Sequence, residues 1–75
     1  MNKIREWVQS QSENTLRQLV ADQETFEAAG MIGDCLLRQK AEQLGELLGE
    51  GSRVVLWMDR IAYESYRELY LRTEM

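Results

Sequence analysis

From Leu16 to Leu47 the chain keeps an unbroken alternation of three- and four-residue steps. The positions are Leu16, Leu19, Gln23, Phe26, Gly30, Gly33, Leu37, Lys40, Leu44 and Leu47. Such steps hold one stripe of a helix toward one partner, as in a coiled-coil seam. Gln23, Gly30, Gly33 and Lys40 are poor apolar knobs, so the seam is no self-sufficient zipper. It needs another element that fits over a flat, small centre.

The rest of the chain agrees with helix. There is no proline among the 75 residues, and good helix formers such as Ala, Leu, Glu, Gln and Arg dominate. No stretch alternates apolar and polar residues between turn signals as a strand would. The expected fold class is all-α, with residues 1–75 forming a single α-helical domain. A domain of this size buries only about 60% of the surface its unfolded chain exposes. It therefore needs a staple. A single cysteine, Cys35, excludes an internal disulfide, and the absence of histidine removes the commonest zinc ligand. Oligomerisation or a partner chain is the remaining means.

Helix boundaries follow from caps and turns. A short N-terminal helix is expected at about residues 3–9 and a central helix from about 12. Ser10 and Glu13 have the spacing of a capping box. Asp22-Gln23-Glu24-Thr25 is a second possible break. Phe26, Gly30, Gly33, Leu37, Ala41 and Leu44 share a face at about 100° per residue. This continuity predicts one helix to about residue 48, despite two glycines that each cost about 1 kcal/mol relative to alanine. Gly49-Glu50-Gly51-Ser52 ends that helix, and Ser52 is a good N-cap for the next. The last helix runs from about Arg53 to Arg72, with Val54, Val55, Met58, Ile61, Ala62, Ser65 and Leu69 on its core face. The expected architecture is a hairpin of two long antiparallel helices with a short N-terminal helix, a three-helix domain completed by oligomerisation or a partner.

Several groups of residues fall outside that core. Met31, Ile32 and Cys35 point away from the seam, so the central helix is apolar on two sides. The competing account is that Ile4, Trp7 and Val8 fold back over them. On the last helix Leu56, Tyr63 and Tyr70 are seven apart, with Tyr66 close by and all outside the core face. Tyrosine is enriched at interfaces. The competing account is a wide core stripe with the phenols reaching water. The small-residue row Ala29, Gly33, Leu37, Ala41, Gly45, Gly49 is expected to serve internal packing against the last helix more than docking of a foreign one. The arginine row Arg53, Arg60, Arg67 is expected to be a solvated face, with Arg60–Glu64 and Glu68–Arg72 as ordinary i,i+4 pairs.

Charge narrows the function classes. The net charge is −4. Lys3, Arg5 and Arg17 outnumber Glu6 and Glu13 near the start, whereas residues 22–51 carry Asp22, Glu24, Glu27, Asp34, Glu42, Glu46 and Glu50 against only Arg38 and Lys40. No basic footprint for nucleic acid stands out. Catalysis has little to work with. There is no histidine, no carboxylate pair in an apolar setting and no phosphate loop. No enzyme activity, cofactor, metal or small-molecule substrate is expected. No signal peptide or membrane span is read, so the cytoplasm is the default location. The expected function is an acidic protein-binding module (a regulator, inhibitor or adaptor) acting through Met31, Ile32, Cys35, Leu56, Tyr63, Tyr66 and Tyr70. A homodimer is the simplest partner. The alternative is a DNA mimic, or a regulator using the arginine row.

Overall fold

The computed structural model describes residues 3–30, 35–47 and 54–73. These residues form four helices and no strand: α1 Lys3–Gln9, α2 Glu13–Ala29, α3 Leu36–Leu47 and α4 Val54–Thr73. The all-helical expectation is met. The continuous central helix is not, because it is two helices, α2 and α3.

Seven residues are too few for a helix to persist alone in water. α1 is held instead by burial of Ile4 and Val8, one turn apart on the same side. Its last turn is closed by local bonds. The Ser10 and Gln11 amides donate to the Trp7 and Val8 carbonyls at 3.1 Å. Both residues' side chains also donate to the Trp7 carbonyl. Ser10 is therefore occupied at the end of α1 and does not cap α2. Ser12 does that: it has extended backbone, and its hydroxyl accepts the Thr15 N–H at 3.2 Å.

α2 ends where the sequence periodicity predicts continuation. Gly30 takes the left-handed conformation, φ 68° and ψ 14°, and its N–H donates to the Phe26 carbonyl at 2.8 Å. This is a glycine C-cap, which satisfies a carbonyl that a helix end would otherwise leave orphaned. α2 does not break at Asp22–Thr25, the second candidate. Gly33, and the turn expected at residues 49–52, lie outside the described residues.

α4 is the hub, packing against each of the other three helices. Its core face is Met58, Ile61, Ala62 and Ser65, all buried as the spacing predicts. Trp57 and Glu64 are buried with them, whereas Val55, assigned to that face by periodicity, is 44% exposed. α2 contributes Leu16, Leu19 and Gln23, and α3 contributes Leu37, Ala41 and Leu44. All but Ala41 are seam positions of the sequence, now supplied by two helices; Ala41 is buried where the seam has Lys40, which is half-buried. Of the small-residue row, Leu37, Ala41 and Gly45 are buried and Ala29 is exposed. With α3 packed on α4, Leu37, Ala41 and Gly45 serve internal packing; Gly33 and Gly49 lie outside the described residues.

Two cross-links fix the direction of α1. Arg5 reaches Glu64, and Arg72 reaches the carbonyls of Gln9 and Gln11. Low numbers meet low and high meet high, so α1 lies parallel to α4. α2 runs the other way: Gln23 meets Asp59, while Arg17 and Val20 lie near Tyr70 and Thr73. The Cα atoms span 36 × 30 × 15 Å. With packed helix axes about 8–10 Å apart, the thin dimension holds about two layers of helix.

Candidate functional site

A helix at the centre of a flat molecule has an inner and an outer face. On α4 the inner face holds Met58, Ile61, Ala62 and Ser65. At about 100° per residue, Leu56, Tyr63 and Tyr70 lie opposite, with Tyr66 adjacent. Their exposures are 53%, 66%, 58% and 64%. Three phenols and a leucine thus stand in water on one continuous stripe. They are not the fringe of a wide core.

The other sequence candidates separate from this stripe. Met31 and Ile32 lie outside the described residues. Cys35 does not present an outward apolar surface: it is half-buried against the core. It sits just before α3, and its Sγ accepts the Arg38 N–H at 3.5 Å. Its carbonyl takes the Gln39 N–H, as an N-cap carbonyl does. The break after Ala29 changes the residue's role, because a residue that starts a new helix does not inherit the phase of the old one. Among the described residues, the candidates that remain exposed are all on α4.

Two features of that surface escape a reading of periodicity. Val55 and Leu71 are exposed, at 44% and 42%, extending the apolar surface around the helix. Beside Tyr66 and Tyr70 an open groove of about 430 Å³ runs between α4 and α2, with Val20 and Ala21 opposite Leu69. The i,i+3 and i,i+4 spacing of Arg17, Val20, Ala21 and Glu24 marks them as one face of α2, but which helix that face meets is not written in the spacing.

The charges around α4 are partitioned. Glu64 is only 5% exposed and faces Arg5, whose Nε donates to Oε2 at 2.7 Å and Nη2 to Oε1 at 3.4 Å. That hydrogen bond, and then the attraction of the carboxylate, raise the Arg5 pKa above the ordinary arginine value. The expected Arg60–Glu64 pair therefore does not form. Glu68 pairs with Arg72 at 2.9 Å, as the spacing predicts. Among the described residues, Arg60 and Arg67 have no hydrogen-bond or ion-pair partner.

Elsewhere the acidic surface is partly spent on internal contacts. Glu42 pairs with Arg38 at 3.0 Å and Glu13 with Arg17 at 3.3 Å. Asp22 accepts from the start of α3. Among the described residues no three Cys, Asp or Glu side chains are grouped to hold a metal ion, and no helix is long and apolar enough to cross a membrane. Comparison of the chain with known protein families, with characterised proteins and with solved structures finds no match.

Proposed function

We propose that this chain is a small protein-binding module (a regulator, inhibitor or adaptor) whose contact surface is the outer face of α4. One observation carries the reading. Leu56, Tyr63, Tyr66 and Tyr70 are each more than half exposed, on the side of α4 away from the core. Tyrosine offers a large, rigid contact area with a polar tip and is among the residues that dominate binding energy when a partner covers it. Solvent-facing aromatics add nothing to a core, so folding alone gives no account of three on one stripe.

The fold supports the same reading. A flat molecule of about two helical layers has little protein to put over the far side of its central helix. The single domain is small enough that a partner would add materially to its stability. Apolar contact would come from the α4 stripe, and the charges beside it would set orientation.

The experiment compares the native chain with a variant carrying Tyr63→Ser and Tyr70→Ser, each used as bait in an extract of the source cells. Surface substitutions of this kind should change stability by no more than about 0.5 kcal/mol. Proteins retained by the native chain should be lost from the variant. A sharp drop in the unfolding midpoint would return the tyrosines to the core. Retention of the same proteins by a folded variant would take the α4 face out of the binding site.

A further inference from the structure

We infer that the outer face of α4 is built to receive an amphipathic helix of another protein that carries carboxylates along one edge, and not a second copy of this chain. This rests on the reading of that face as a binding surface and names its occupant.

The stripe itself has the dimensions of a helix seat. From Leu56 to Tyr70 is about 21 Å at about 1.5 Å per residue, two heptads of contact at sevenfold spacing. The groove between α2 and α4 at Tyr66 and Tyr70 extends the seat sideways. Apolar residues on a straight stripe with a groove alongside are how a helix is received through anchors one and two turns apart.

The edges of the stripe decide between occupants. Placed at about 100° per residue, Arg60 and Arg67 lie together on one flank of Leu56, Tyr63 and Tyr70. Asp59 and Tyr66 lie on the other. Of the two glutamates among the described residues of α4, only Glu64 has the helical spacing to neutralise those arginines, and neither glutamate does so. Glu64 is turned inward to Arg5, and Glu68 is held by Arg72. What remains is an exposed Arg60 and a half-exposed Arg67, with no partner among the described residues, next to an exposed apolar row.

A second copy supplies too few carboxylates for this edge. In an antiparallel two-fold pairing of α4 with itself, like edges meet, so Arg60 faces Arg67 of the copy and the Asp59 edge faces its own counterpart. In a parallel pairing the arginine edge faces the flank of Asp59 and Tyr66, where Asp59 is one carboxylate for two arginines and already accepts from Gln23. Like charges opposed across an interface disfavour that partner, and an acidic edge on a foreign helix favours it. Nucleic acid fits less well. Two arginines are a small phosphate footprint for a chain of net charge −4.

The test uses the full chain and two synthetic amphipathic helices of about three heptads. Both carry the same leucine stripe. One has glutamates along one edge and the other has lysines there. Affinity is read by fluorescence anisotropy of the labelled peptides. The glutamate peptide should bind at least about tenfold more tightly, with the margin shrinking as salt is raised. Arg60→Gln with Arg67→Gln should erase the preference, and Arg60→Glu with Arg67→Glu should reverse it, in variants shown by circular dichroism to keep their helicity. Equal binding of the two peptides would overturn the inference while leaving the α4 face a binding surface. So would a dimer in sedimentation that is lost on changing Tyr63 and Tyr70 to serine, or tighter binding of a duplex DNA probe that depends on Arg60 and Arg67. Failure of both peptides, with no self-association and no DNA binding, would overturn the inference and the proposed function together.

Discussion

The carboxylate of Asp22, in the middle of α2, accepts the backbone N–H of Leu37 in the first turn of α3, at 3.2 Å. The first N–H groups of a helix have no partner within it, and a negative charge there also meets the positive end of the helix dipole. α3 is thus capped by a side chain fifteen residues earlier. Gln18 steadies it, donating from Nε2 to the other Asp22 oxygen at 2.7 Å.

Removing that cap should cost about 1 kcal/mol, the usual loss when an N-cap acceptor becomes alanine. Asp22→Asn keeps an acceptor and gives up the charge, so it should cost less. Urea unfolding of the two variants checks the order. Equal losses would mean that the acceptor contributes nothing at this site.

Gly30→Ala should destabilise by about 1–2 kcal/mol, the cost of placing an L side chain in left-handed backbone. A methyl there meets no atom within 4 Å, so crowding adds nothing. Gly30→Asn should be milder, since asparagine tolerates that region better. An alanine variant as stable as the native chain would restore the continuous helix that periodicity predicts.

Arg72 clasps three groups. Its Nη2 donates to the carbonyls of Gln9 and Gln11 at 3.2 and 2.9 Å, and its Nε donates to Glu68. Arg72→Lys should fail to rescue Arg72→Ala fully, because an ammonium cannot span the fork. The alanine variant should lose about 1–2 kcal/mol. Its α1 amides should exchange with solvent faster than those of α2. Unchanged α1 protection would separate the clasp from the docking of α1.

The Arg5–Glu64 bridge should respond asymmetrically. Glu64→Gln removes the charge facing a guanidinium that is 43% exposed, whereas Arg5→Met removes the charge facing a carboxylate that is 5% exposed. The methionine variant should therefore unfold at lower urea than the glutamine variant near neutral pH. The raised Arg5 pKa makes the arginine's contribution complete at every pH below its ordinary value, lost only as pH climbs through the raised one. Equal urea midpoints for the two variants would mean that losing the charged partner costs the buried carboxylate nothing.

How much of this was written in the sequence differs from element to element. α1 was legible because Ile4 and Val8 are one turn apart and polar Ser10–Asn14 follows. The outward Leu56, Tyr63 and Tyr70 were legible because seven residues nearly complete two turns. The break at Gly30 was not. Phase continuity is required of one helix, but two helices that each face the same core also put Phe26 and Leu37 inward. Cys35 departs from its expected direction for the same reason, since that direction belongs to a helix that ends six residues earlier.

By itself the sequence determined that this protein is helical, and which side of each helix avoids water. Both follow from local backbone preference and from a period fixed by helix geometry. Only the tertiary structure decided which charges are left over. Arg5 and Glu64 are 59 residues apart, and no spacing rule connects them. Once α1 docks parallel to α4, burial makes Glu64 take the nearest cation, Arg5. Arg60 and Arg67 are then left facing outward beside the tyrosines.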